Sequence, residues 1–452
     1  MMNGKTKQHP LCVTIRRTFF TLLLAAPIAA SANDLLNAYN DALKNDPQLK
    51  AAASNRDALG EVKPQSLALL LPNANISAVT TDTNSDTRNS SFFPAVQDAF
   101  NSHSYRINIT QPVYHHDFWV GLGQADKSVA QADATYVAAG QDLMIRVSER
   151  YFDMLSAFDD LELARSEKIA TARQLEQAKQ RFEVGLIAIT DVHEAQASYD
   201  LTIAQEISAD NALNNAREAL QEFTGEYYRD INRLAKDAPL VEPVPANIQD
   251  WVTQAGEFNL TLKASRFATQ VANDEISIQR SGHLPTLDIV ASRSNSNSSS
   301  FTGSTNDTDA ISLQLNVPIF AGGAVNSRTR QARHRFNEAQ YNQDRTKRSV
   351  LRQTRNNYLG VISGISRVKA FEQAVISSNK ALEATQAGFE VGTRTIVDVL
   401  NSQRDLLRAK QSLYSARYDY ILSGLRLKQA AGGLSANDIE GVNTYLKPVS
   451  EQ

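Results

Sequence analysis

Two hydrophobic rhythms alternate along this 452-residue chain, and the pair occurs twice in the same order. The first is helical. Met144, Val147, Tyr151, Met154, Phe158 and Leu161 follow a 3-4-3-4-3 spacing, the seam of a helix packed on a neighbouring helix. That seam lies in a stretch from about 116 to 182 with few helix breakers, and 323–389 is a second such stretch. At 1.5 Å per residue some 67 residues reach about 100 Å, a coiled-coil length. Shorter return helices follow at roughly 191–224 and 398–431. The second rhythm alternates. Ile311, Leu313, Leu315 and Val317 face away from Ser312, Gln314 and Asn316, as Tyr105, Ile107 and Ile109 face away from Arg106, Asn108 and Thr110. Weaker partners precede each: Ala74, Ile76 and Ala78, then Leu287, Ile289 and Ala291. Each half thus carries a strand pair of about ten residues per strand, membrane-barrel length, ended by Pro112 and Pro318. The Ser/Asn-rich stretches 84–104 and 293–309 read as the loops inside the pairs.

The clearest self-similarity is FEVGLIAITDV (182–192) against FEVGTRTIVDV (389–399), seven identities in eleven positions at an offset of 207. A glycine followed by a Thr/Asp-bearing stretch ends one helix and starts the next, so each copy is the tip of a helical hairpin. LKA at 49–51 and 262–264, and Leu71-Pro72 and Leu284-Pro285, carry the repeat further. The predicted organisation is a first repeat at 33–226, a connector at 227–248, a second repeat at 249–432 and a C-terminal tail at 433–452. Asp46-Pro47 marks a helix break and restart in the first repeat.

Residues 1–32 stand apart. Lys5, Lys7, Arg16 and Arg17 precede an apolar run and an Ala-Ser-Ala site at 30–32, the pattern of a cleaved secretory signal. The only cysteine, Cys12, lies inside it and not after the apolar run, so neither a lipid anchor nor disulfides are expected. Without those four cations, 42 basic residues face 49 acidic ones, a net charge of −7 that argues against a nucleic-acid partner. No later stretch approaches 18 consecutive apolar residues, so a membrane crossing must be made by strands. Four strands cannot close a barrel, and open edges are not tolerated in lipid. The chain is therefore expected to oligomerise around one shared barrel, in a number of copies that this argument leaves open.

QRFEVGLIAITDV (180–192), GHLPTLD (282–288), LNVPIFAGGAVNS (315–327) and VGTRTIVDVL (391–400) together resemble the TolC family of outer-membrane efflux channels. The resemblance implies an α+β membrane protein with an internal two-fold repeat. It implies a homotrimer whose twelve strands, four per chain, form one β-barrel in the lipid of the Gram-negative outer membrane. A long periplasmic α-helical coiled-coil barrel continues it. The implied function is an exit duct of tripartite efflux and type I secretion systems, with no cofactor. Its partners would be a periplasmic adaptor (membrane fusion) protein and an inner-membrane pump of RND, ABC or MFS type. Its cargo would be drugs, toxic small molecules or proteins.

The resemblance also implies a gate at the hairpin tips. Arg394 would reach Thr190 and Asp191, and Asp398 would form a three-fold carboxylate ring, a seat for block by multivalent cations. The tip turns at Gly185 and Gly392 would touch the adaptor. Two positions depart from the family: Phe389 replaces a gate tyrosine, and Asn401 replaces a second ring aspartate, so a looser latch and a weaker cation site are expected. Each residue has a plainer reading. Asp191 and Glu194 have capping-box spacing, Asp398 suits a solvated helix start, and Arg394 suits an exposed loop cation. No catalytic constellation is present: the chain lacks a Walker-type loop, a G-x-S-x-G elbow and H-E-x-x-H. His115-His116-Asp117 reads as a structural junction, since adjacent helical residues do not share a face. The competing reading is a coiled-coil structural or adhesin protein anchored by a shared small barrel.

Overall fold

A computed structural model describes residues 34–87, 96–299 and 303–448; the leader and Cys12 lie outside the described residues. Short helices α1 (Leu35–Asn45), α2 (Pro47–Gly60) and α3 (Val62–Ala68) lead into strands β1 (Asn73–Thr87) and β2 (Val96–Tyr114). The hairpin α4 (His116–Glu183) and α5 (Ile189–Thr224) follows, then a connector holding β3 (Arg233–Leu234). The second half repeats the order: α6 (Ile248–Phe258), α7 (Leu260–Ser281), β4 (Thr286–Ser298), β5 (Ser304–Asn316), α8 (Ala324–Glu390) and α9 (Ile396–Ala430). The chain closes with α10 (Ala436–Asn443) and β6 (Leu446–Lys447). Hairpins of 68 and 36 residues and of 67 and 35 residues match the two lengths expected from the sequence.

Capping residues place the breaks. Asp46 accepts from the Leu49 amide at 3.0 Å with Pro47 at the first position of α2, and it also receives Arg146 of α4 at 2.9 Å. His115 precedes α4, stacks on Phe118 at 4.4 Å and reaches Asp288 of β4 at 3.0 Å. It ties the strand-to-helix junction, as the structural reading of His115-His116-Asp117 expected.

Strands β1, β2, β4 and β5 form one antiparallel sheet in that order, with β1 and β5 at its edges. Register brings like residues together: Ile76 opposite Ile107, Ala291 opposite Ile311, Ile289 opposite Leu313 and Leu287 opposite Leu315. Ile107 and Ile109 share that face through the β2–β4 pairing, and most of these side chains are exposed. Asn108, Ser292, Ser312 and Gln314 occupy the other face. The strands differ from expectation in length. They run 15, 19, 13 and 13 residues, so much of 84–104 and 293–309 is strand and not loop. Cross-strand backbone bonds carry the ladder through polar residues that the hydrophobic alternation cannot reveal. Nor does Pro112 end β2, which continues to Tyr114 through a register shift at the proline.

The main core sits where α1, α4, α5, α9 and the connector meet. The predicted seam is inside it, with Val147, Tyr151, Met154 and Leu161 buried and Met144 and Phe158 packed at its rim. The Tyr151 hydroxyl donates to the Asn232 carbonyl at 2.8 Å, holding the connector down. Burial pushes the Asp159 carboxyl up to about 6, against the lowering effects of the Tyr418 hydroxyl, which donates to it, and of the Arg233 charge. The stretch after 433 also docks: Ile439 is buried, and β6 pairs with β3 in the connector.

Candidate gate at the hairpin tips

Both tips turn by the same backbone device. Helix α4 ends with the Gly185 amide donating to the Phe182 carbonyl at 2.9 Å and Leu186 to Arg181 at 2.8 Å. In α8 the Gly392 amide donates to Phe389 at 3.2 Å and Thr393 to Gly388 at 2.8 Å. This is the left-handed glycine cap, with φ of +76° at Gly185 and +78° at Gly392. Both glycines stand at exposed turns.

The helix starts that follow differ. Thr395 caps α9: its hydroxyl accepts from the Asp398 amide at 3.3 Å, and its own amide donates to Asp398 Oδ2 at 2.9 Å. The Thr395 amide, the Thr395 hydroxyl and then the Arg394 charge hold the Asp398 carboxyl below its ordinary range. The matching start of α5 has Ala188 as its cap residue, with no side-chain bond. Asp191 stands in the first turn of α5, inside the helix and not at its cap, so the capping box suggested by Asp191 and Glu194 does not form. The cap position is occupied three residues earlier, by a side chain with no acceptor.

Phe389 is the point where the two hairpins meet. It is 7% exposed, packed in a cluster with Leu175, Ala178, Val192, Ala195, Ile396 and Leu400. Arg181 lies over its ring, 4.5 Å from the centroid, and donates to its carbonyl at 3.0 Å. Further up, the Gln174 amide donates to Gln403 at 2.6 Å and Arg404 to Ser198 at 3.4 Å. None of these ties was anticipated. The signal for Arg181 was available: its partner in the second repeat is Gly388, the kind of mismatch that marks a residue with a task of its own.

Arg394 is exposed, and its stem lies against Gly388. A Cβ at Gly388 would sit 2.8 Å from Arg394 Cγ, so the glycine makes room for the arginine stem. Among the described residues no hydrogen bond or ion pair joins Arg394 to Thr190 or Asp191. Thr190 is exposed, Asp191 half-buried, and Asn401 exposed one turn beyond Asp398. The structure thus gathers Phe389, Arg394 and Asp398 at one tip and leaves Thr190 and Asp191 on the other.

Comparison with known proteins gives this geometry its context. The profile of the family described as "Outer membrane efflux protein" matches residues 38–226 and 251–433. The outer membrane protein TolC of Vibrio cholerae is 42% identical over 424 residues, covering 93% of this chain and 95% of that protein. The alkaline protease secretion protein AprF of Pseudomonas aeruginosa is 32% identical, covering 95% of this chain and 91% of that protein. Among solved structures, the outer membrane protein VceC of Vibrio cholerae superposes with a TM-score of 0.76 at 19% identity, covering 88% of this chain and 96% of that one. The chain belongs to the outer membrane efflux protein family, the TolC family of channels, and is an outer-membrane exit duct.

Proposed function

We propose that three copies complete one twelve-stranded barrel in the outer membrane and one helical tunnel through the periplasm. The observation that carries this reading is the sheet: four strands with open edges at β1 and β5 and an exposed apolar face. Unpaired backbone groups at such edges cost several kcal/mol each in lipid, so the edges must pair with those of other copies. Each chain contributes two structural repeats, 33–226 and 249–432 joined by 227–248, after a leader cleaved behind Ala32, and carries no lipid anchor. The duct is passive and catalyses nothing. An RND, ABC or MFS pump in the inner membrane supplies the energy, and an adaptor docks at the turns of Gly185 and Gly392 to open the tip. The cargo is drugs, toxic small molecules or proteins.

The tip is the gate in this proposal. Asp398 from three copies rings the narrowest point, with Asn401 above it, and Arg394 latches to Thr190 and Asp191 when the copies close. An exposed ion pair contributes about 0.2–1 kcal/mol. Three copies reach about 3 kcal/mol, roughly a hundredfold bias toward closed, which a docking partner can reverse. The test is single-channel conductance of the purified oligomer in a planar bilayer. A small cation-selective conductance, blocked by multivalent cations from the tip side and raised by Arg394→Ala, is the expected result. Unchanged conductance in that variant removes the latch. An inserted oligomer that never conducts points instead to an anchored coiled-coil adhesin.

A further inference from the structure

The strand-to-helix junctions of the two halves carry very different charge. In the second half, RTRQARHR (328–335) places four arginines and a histidine in eight residues. Arg328, Arg330, Arg333 and Arg335 are all exposed, and among the described residues none has an ion-pair or hydrogen-bond partner. The equivalent stretch of the first half, GLGQADKS (121–128), holds one acid and one base. Both are satisfied: Asp126 pairs with Lys63 at 2.8 Å and Lys127 with Asp274 at 2.5 Å.

The arginine cluster is locally unfavourable. Arg330 and Arg333 are like charges three residues apart on one helix flank. The N-terminal turn of α8 has no acid to meet its positive dipole end, whereas α4 has Asp117 there. Such an arrangement is stabilised by an anion from outside the chain. Just before it stand Ile319 and Phe320, 94% and 87% exposed, with Trp119 and Tyr114 exposed at the first junction. These are the amphipathic and apolar side chains that settle at a membrane interface.

We infer that Arg328, Arg330, Arg333 and Arg335 form a docking surface for the phosphates of anionic phospholipids in the periplasmic leaflet of the outer membrane. This rests on the barrel reading above. The cluster spans about 6 to 17 Å along α8 from its start, at 1.5 Å per residue. Helical side chains lean toward the helix N-terminus, so these guanidiniums reach back toward the bilayer. The buried stripe of Val325, Thr329 and Ala332 separates two flanks, Arg330 with Arg333 and Arg328 with Arg335. Guanidinium groups bind phosphate oxygens bidentately, and basic clusters beside a membrane span select anionic lipid.

The experiment is native mass spectrometry of the reconstituted oligomer after exchange with phosphatidylglycerol and phosphatidylethanolamine in equal amounts. The wild-type protein should retain phosphatidylglycerol at least about fivefold over phosphatidylethanolamine, the enrichment one cation near an anionic surface supplies. That preference should fall as salt rises. The variants Arg330→Gln/Arg333→Gln and Arg328→Gln/Arg335→Gln report which flank faces lipid, and the quadruple variant should retain both lipids equally. Equal retention by wild type, or a preference that survives in the quadruple variant, overturns the inference. So does dissociation of the oligomer by these variants at unchanged lipid preference, which would assign the arginines to a neighbouring copy. The salt dependence of wild type decides the matter if a variant does not assemble. An oligomer that inserts and conducts without lipid preference refutes this surface alone, and failure to insert refutes the barrel.

Discussion

The two hairpin tips share a backbone and divide the chemistry. Both end on a left-handed glycine, Gly185 and Gly392, with the same pair of closing hydrogen bonds. Yet Phe182 is 41% exposed while Phe389, its partner 207 residues on, is 7% exposed. Arg181 faces Gly388 across the repeat, Ile187 faces Arg394, and Ala188 faces Thr395. Of the identical residues, the glycines are the ones the turn requires. The residues that differ make one tip a donor, reaching out with Arg181, and the other a receiver, with a buried ring and a capped aspartate.

The largest break in this comparison should come from the two phenylalanines. Phe389→Ala opens a cavity where the hairpins meet and should cost about 3 kcal/mol, seen as faster protease nicking at the tips and a lower melting temperature. Phe182→Ala, at the exposed partner, should stay within about 0.5 kcal/mol.

The glycines should behave alike where the phenylalanines do not. Gly185→Val and Gly392→Val each force a β-branched residue to positive φ, at about 1–2 kcal/mol. Amide exchange in the adjoining helix ends should rise equally at both tips. A large difference between them would mean that the two turns are not equivalent.

Helix starts give a smaller and reciprocal effect. Thr395→Ala should lose about 1 kcal/mol of local stability and Ala188→Thr should regain a similar amount, read from exchange protection of the first turns of α9 and α5. The pH response sharpens the test. Because the folded Asp398 carboxyl is held below its ordinary value, its contribution is present in full above the unfolded pKa of about 3.9. It is lost as pH falls through the lower folded value. Thr395→Ala should shrink that loss without abolishing it, since it removes the hydroxyl bond and keeps the amide bond, while Asp398→Asn should abolish it.

Arg181→Ala is a small change of a different kind. A half-buried guanidinium over an aromatic ring contributes about 0.5–1 kcal/mol, and the variant should raise the open probability of the channel severalfold without changing its assembly. Combined with Arg394→Ala, the effects should add if the two arginines act on separate contacts.

Much of the architecture was legible because it rests on local and periodic signals. Glycine caps, the Asp46-Pro47 break and the 3-4 seam through Tyr151 act within a few residues of themselves, so the helix ends fell within about two residues of expectation. The alternation of Ile311, Leu313 and Leu315 likewise needs no partner to be read, and the register then paired those residues with Ala291, Ile289 and Leu287. Strand extent was less legible, because Ser and Asn in 293–298 and 304–308 carry no facial preference. Their conformation comes from backbone bonds to the opposite strand.

By itself, then, the sequence determined two long helical hairpins, their turns and four strands with one apolar face, and it supports the proposal that copies share a barrel. Each follows from short-range conformational preference or from the cost of leaving polar backbone in lipid. Tertiary structure alone decided which residues join one hairpin to the other: Arg181 on Phe389, Gln174 on Gln403 and Arg404 on Ser198. Those contacts depend on how two long helices slide and rotate against each other. That is set by the sum of many packing contacts along their length, and no local motif reports it.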